Sequence, residues 1–277
     1  MSFVAIIGAG AIGGSLAHKL AGRDRVGEVR LIDADVKIAE AMALDILQSS
    51  PLEGFGTRLT ASPSLMSSAG ADAIVMADEA SGKGEHEGEA GLSLLRQIAA
   101  IERRSPIVFA GAAQRPLMQR AVTELHIAAP RLIGSAPITL ESALRALAGV
   151  ALDGSGVEVS LRVVGVPPKG AVIAWEEATA FGQPIASELP PHLLSGFSAR
   201  IPGLWPPGPY ALASAAARVI EGIVTGARGR FSCFAVLPRN RVAAVPVELG
   251  PDGIRAVHQP VLTRQERTLF ESAVERG

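Results

Sequence analysis

Apolar residues fall along this chain in two alternating rhythms. Short β-branched runs without polar alternation, Phe3–Ile7, 29–33, Ala73–Met76 and Ile107–Phe109, read as strands buried on both faces. Helical spacing follows the first strand through Leu16 and Leu20. It returns over 36–48, where Ser49-Ser50-Pro51 is expected to interrupt it, and over about 92–103. Strands alternating with helices predict a parallel sheet covered on both faces. The texture changes after Leu132-Ile133-Gly134. A helix at 140–147 precedes 157–164, where Val157, Val159, Leu161 and Val163 alternate as in an antiparallel strand. The stretch 178–204 is rich in Pro, Gly and Ser and reads as irregular. An Ala-rich helix at 210–225 leads to a hairpin, 231–237 with 242–249, joined through Pro238 and Asn240. Pro246 in its second arm suggests a sheet edge, and a polar helix over 262–276 starts near Thr263. The predicted class is α/β, with a parallel-sheet domain at 1–134 and a mixed α/β (α+β) domain at 135–277.

The 277 residues are 48% hydrophobic and 19% charged, which excludes a disordered chain and suits about two domains. Aromatics are only 4%, so the core is built from Ala, Val, Ile and Leu. Lys and Arg (26) balance Asp and Glu (27), and no basic stripe supports a nucleic-acid partner. No run approaches the roughly 18 apolar residues of a membrane span. The single cysteine, Cys233, cannot form an internal disulfide, and a cytoplasmic setting is expected. The apolar first 14 residues lack the basic start of a signal peptide.

Those residues have another reading. Gly8, Gly10 and Gly13 form a G-x-G-x-x-G run, with Ala11 and Ile12 inside it, directly after a strand and opening a helix. This is the context of a dinucleotide fingerprint. The first glycine permits the turn, the second lets a pyrophosphate approach, and the third lets helix and strand pack closely. Free N–H groups at the helix N-terminus then face the phosphates. Asp33 ends the second strand 20 residues after Gly13, placed to accept hydrogen bonds from ribose hydroxyls and to favour NAD over NADP. The first domain is therefore expected to be Rossmann-type, with NAD bound by Gly8, Gly10, Ala11, Ile12, Gly13 and Asp33.

Further motifs follow in order: Leu31-Ile32-Asp33, Ala43-Leu44-Asp45-Ile46-Leu47, Ser50-Pro51-Leu52-Glu53-Gly54-Phe55 and Ala71-Asp72-Ala73-Ile74-Val75. Ile133-Gly134-Ser135, Leu140-Glu141-Ser142-Ala143, Trp175, Gly182-Gln183-Pro184-Ile185 and Tyr210-Ala211 continue the series. In this order, over nearly the whole chain, they resemble the lactate/malate dehydrogenase family. The resemblance implies a substrate-type second domain, NAD, hydride exchange with a 2-hydroxy acid, and a homodimer or tetramer. In the family the helix matching 36–48 pairs across a two-fold axis. Here Ile38, Ala41, Met42, Ala43, Leu44, Ile46 and Leu47 crowd it with apolar side chains.

The resemblance also implies a histidine acid/base, an aspartate orienting it, an arginine clamping the substrate carboxylate, a loop arginine, and an asparagine near the nicotinamide. The histidine position reads Pro167 in Gly165-Val166-Pro167-Pro168-Lys169-Gly170. The aspartate matches Glu141 and the clamp matches Leu144. Arg145, four residues after Glu141, reads as its ion-pair partner. The loop arginine matches Gly88 or Gly91, and the asparagine falls in Gly111-Ala112-Ala113. Substitute bases are His86, between Glu85 and Glu87, where a raised pKa is weighed against a solvated loop, and Glu141. His18 and Lys169 read as surface residues, and no histidine spacing suggests a metal. Three readings stay open: an NAD-binding protein without lactate or malate turnover, an NAD-dependent oxidoreductase with a relocated base, and a structural or partner-binding protein with a vestigial NAD site.

Overall fold

A computed structural model describes residues 2–82, 84–226 and 229–276. The first half alternates strand and helix: β1 (Phe3–Ile7), α1 (Ala11–Arg23), β2 (Glu28–Ile32), α2 (Val36–Glu53), β3 (Arg58–Ser62), β4 (Ala73–Met76), α3 (Gly88–Ile101), β5 (Ile107–Phe109), α4 (Arg115–Thr123) and β6 (Leu132–Gly134). These six strands are mutually parallel in the order β3-β2-β1-β4-β5-β6. The order reverses between β1 and β4, so a crevice opens beyond their carboxyl ends, the usual ligand position in such sheets.

The second half contributes α5 (Pro137–Ala151), β7 (Val159–Ser160), β8 (Val163–Val166), β9 (Gly170–Ile173), β10 (Thr179–Ala180), β11 (Gln183–Pro184), α6 (Ile185–Glu188), α7 (Pro191–Arg200), α8 (Pro209–Thr225), β12 (Arg230–Leu237), β13 (Arg241–Gly250), β14 (Gly253–Val257) and α9 (Arg264–Arg276). The hairpin β12–β13 joins the main sheet antiparallel to β6, and β8–β9 extend it further. The sheet thus continues across residue 134. α8 packs on α1, and the larger apolar core includes β1–β6, α8, β12 and β13. A smaller core joins Leu140, Leu144, Leu161, Val163, Ile185 and Phe197 beneath α5 and α7.

Four expectations need correction. Helix α2 continues through Pro51 to Glu53, because the proline falls in the last turn and Gly54, at φ 77°, closes the helix by donating to Ser50 O at 2.8 Å. The run 157–164 is not one strand. It breaks at Leu161-Arg162, with β7 pairing in a small sheet and β8 in the main one. The stretch 178–204 is not irregular, since it holds α6, α7 and two short strands. Pro246 is not at the sheet edge: it pairs with Ser232 on one side, and on the other it sits where the neighbour changes from β8 to β14. At α9, Thr263 and Glu266 cap each other reciprocally, Thr263 N donating to the carboxylate at 2.7 Å and Glu266 N to the hydroxyl at 3.2 Å.

Candidate functional site

Strand β1 delivers the glycine run to the carboxyl edge of the sheet. A side chain on Gly13 would collide with Gly8 O, so this glycine sets the close approach of α1 to β1. Gly10 is different. A Cβ there would lie 2.5 Å from the Asp78 carboxyl carbon. The space kept open by the second glycine is filled by a side chain of this same protein.

Asp78 follows β4 by two residues and is 8% exposed. Its Oδ1 accepts from Gly13 N at 2.9 Å and Ile12 N at 3.0 Å, and Oδ2 lies 3.1 Å from Ile12 N. Its carbonyl accepts from Gly10 N at 2.9 Å. The carboxylate therefore engages the free N–H groups and positive end of α1, which would otherwise meet a phosphate. Ala11 is exposed and Ile12 is buried.

Asp78 pairs with Glu85 in a single antiparallel bridge. Glu85 carries a second carboxylate into the sheet edge, accepting from Ala112 N at 2.9 Å and Ala113 N at 2.8 Å. Burial pushes its pKa up against the pull of those two N–H groups. Buried Gln114 completes the closure. Its amide oxygen accepts from Gly111 N at 2.9 Å, and its amide donates to Ala77 O at 3.1 Å and His86 O at 3.2 Å. The turn where an asparagine was expected is thus held shut from both sides.

Asp33 lies at the end of β2 as expected. Oδ2 accepts from Ala9 N and Ala80 N, both at 2.9 Å, and Oδ1 accepts from Asp35 N at 2.9 Å. Asp33 also lines a neighbouring cavity. That cavity, of about 920 Å³, lies beyond β1 and β2. Ile7, Ile32, Val36, Leu65 and Leu94 give it apolar walls. Its acids are Asp33, Asp35 and Glu79, against Lys37 as the one lysine or arginine among the described lining residues.

His86 also reaches this cavity. Its imidazole is 11% exposed, and Nδ1 lies 3.7 Å from Glu79 Oε1. Burial lowers its pKa, although Glu79, Asp33 and Asp78 pull the other way. His86 is therefore neither in a solvated loop nor of raised basicity. His18 pairs with Glu53 at 3.0 Å on the surface.

Across the sheet, Glu141 on α5 is 5% exposed. It accepts from the Ser232 hydroxyl, from Val163 N at 3.2 Å and from Arg162 Nη1 at 3.4 Å. Burial raises its pKa, and Arg162 and Ser232 oppose the rise. Arg145 is not its ion-pair partner: the guanidinium turns to the carbonyls of Gly156 at 3.2 Å and Val157 at 3.3 Å. Leu144 is fully buried in the smaller core, Pro167 is buried, and Lys169 is exposed on its turn. Cys233 is a core residue whose thiol pKa is pushed up by burial. Among the described residues no cluster could hold a metal ion, and no helix is long and apolar enough to cross a membrane.

Asp78, Glu85 and Gln114 were not singled out from sequence. The signal available for the first was an acid immediately beyond the buried strand β4, at the crevice end. The residues present fit the adenosine half of a dinucleotide, through the apolar pocket and the Asp33 carboxylate that lines it. They do not fit its pyrophosphate, whose N–H cradle holds Asp78.

The fold and crevice define a doubly wound α/β protein with an antiparallel extension. No protein-family model matches the chain. It is 25% identical over 288 residues to a malate dehydrogenase of Thermomicrobium roseum, spanning 95% of this chain and 92% of that protein. Its fold superposes on the malate dehydrogenase of Salinibacter ruber with a TM-score of 0.87 at 21% identity, covering 99% and 94% of the two chains. A lactate dehydrogenase from a Medee basin deep-sea metagenome gives 0.87 at 17% identity, covering 99% and 96%. Over nearly its whole length the chain is thus similar to malate dehydrogenases in sequence and to malate and lactate dehydrogenases in fold.

Proposed function

We propose that this chain is a catalytically silent member of its family, with no turnover of lactate or malate and with its dinucleotide crevice closed by its own acids. The observation that carries this reading is the state of Glu141. The one carboxylate matching the family's proton relay is buried and held by Ser232, Val163 and Arg162. Its expected partner position is Pro167, which has no proton to exchange. The clamp position, Leu144, lies in apolar packing where no carboxylate would be solvated or paired. A positioned acid/base is worth roughly 100- to 10,000-fold in rate, so both losses bear on chemistry rather than on fold.

NAD, the cofactor the resemblance implies, enters this reading only in part. Asp33 and its pocket suit an adenosine moiety. A pyrophosphate would have to displace Asp78 from Ile12 N and Gly13 N and would meet negative charge on the way. The relocated-base reading finds less support, because His86 is held below ordinary basicity and Glu141 is fully engaged. The test is a continuous assay of nicotinamide reduction with the purified full chain and millimolar lactate or malate. No turnover is expected. A rate within roughly 1–1000 per second, the ordinary enzyme range, overturns the proposal.

A further inference from the structure

We propose that Glu141 is a proton-operated clasp: it ties α5 to the main sheet where the chain leaves the small sheet, and it loosens when it ionises. The proposal concerns how two parts of the fold are joined and does not depend on the absence of turnover.

The clasp sits where several elements meet. α5 packs on β12, β7 and β8. β7 belongs to the small sheet, through β10, and β8 to the main sheet, through β13. Between the two strands, Leu161 and Val163 enter the smaller core on either side of Arg162. One buried carboxyl thus holds β12 through the Ser232 hydroxyl, β8 through Val163 N at 3.2 Å, and the strand break through Arg162 Nη1 at 3.4 Å.

This geometry suits the neutral carboxyl. Oε1 takes both uncharged donors, Ser232 and Val163 N. Oε2 faces Arg162 at a distance longer than the roughly 2.7–2.9 Å of a charge-assisted bond. The other charged and titratable groups around it are turned elsewhere. Arg145, one turn along α5, donates to the carbonyls of Gly156 and Val157. Arg218 of α8 lies over the Phe231 ring, 5.9 Å from its centroid. The Cys233 thiol, next to Ser232 on β12, is pushed up in pKa by burial and by the charge of Glu141. A buried charge without a close partner is costly. Burial accordingly pushes the Glu141 pKa up, against the pull of Arg162, Ser232, Val163 N and Arg145. Behind it, between α5 and α8, lies a cavity of about 450 Å³, whose wall Glu141 shares with Thr139, Ser142 and Arg218. Water from that side relieves the ionised form and competes with Ser232 and Val163 N for Oε1, so the joined elements loosen. The folded chain holds the proton more tightly than the unfolded one. The clasp is therefore complete below pH 4.5 and is lost as pH rises through the folded value.

The test is amide hydrogen exchange on the full chain, read by peptide from about pH 5 to about pH 9 and corrected for the intrinsic rate. In the wild type, protection of α5 and of residues 157–163 is expected to fall about tenfold over this range, relative to β1 and β4. Glu141→Gln keeps an acceptor for Ser232 and Val163 N but cannot ionise, so the fall should vanish. A merely structural Glu141 would lower protection in that variant without changing its dependence on pH. Arg162→Gln removes a cation that favours the charged form, so there the fall should move to higher pH. A wild-type ratio that does not change with pH overturns the clasp, as does an equal fall in a folded Glu141→Gln protein. If that variant does not fold, judged by its circular dichroism, Arg162→Gln decides, and a fall at the wild-type pH overturns the proposal.

Discussion

Asp78 does at the N-terminus of α1 what a bound anion would do, so its removal has a structural cost. Hydrogen bonds to charged groups contribute about 1.5–3 kcal/mol each, net of the exchange with water. A lost helix cap costs about 0.5–2 kcal/mol. Asp78→Ala is therefore expected to lower stability by about 1–3 kcal/mol in urea unfolding, and a midpoint equal to wild type would contradict the capping role. Glu85 acts through pH. Its pKa is raised above the ordinary value of 4.5, so the folded chain holds that proton more tightly than the unfolded one. The stabilisation is full below pH 4.5 and is lost as pH rises through the folded value. Glu85→Gln, which cannot ionise, is expected to flatten the fall in melting temperature from pH 4.5 upward, and a slope as steep as wild type would refute the assignment. The glycines and Asp33 were legible in sequence because their spacing, with Asp33 20 residues after Gly13 behind a strand and a helix, is itself the fingerprint. Asp78 was not, because its partners Ile12 and Gly13 lie 66 and 65 positions back. Nothing local distinguishes that acid from a solvated one.

At the scale of the element, α2 shows what periodicity can and cannot settle. Its inner face, Ala39, Ala43 and Ile46, is buried, as an amphipathic helix on a sheet requires. Met42 turns its thioether against Gly14 of α1. Ile38, Leu44 and Leu47 are left 39, 55 and 43% exposed on the other side. Such a stripe is expected to be covered by the same stripe of a second copy. Light scattering should report at least a dimer, and Leu44→Glu should yield a folded monomer. A 28.6 kDa wild-type species at micromolar concentration would exclude the pairing. The long helices and buried strands were legible because each repeats one period over several residues. β3, the edge strand Arg58–Ser62, was missed because it has only Leu59 fully buried. The short helices α6 and α7 were hidden by prolines that stand at or before their first turns, where a missing N–H costs nothing.

At the scale of the molecule, the sheet does not stop where the composition changes. β12 covers the outer edge of β6, and α8 covers α1. A fragment ending at residue 134 would expose both surfaces. It is expected to lack a cooperative thermal transition, and a sharp melt with native-like dispersion of amide resonances would show that it folds alone. The placement of β12 also has a meaning during synthesis. The strand that seals β6 leaves the ribosome roughly 100 residues after it, or about 5–20 s later at ordinary elongation rates. For that interval the nascent chain carries an open, apolar strand edge, the kind of surface on which chains aggregate. A ribosome stalled anywhere in that stretch would release a product that is a client for chaperones, whatever ligand the finished crevice accepts.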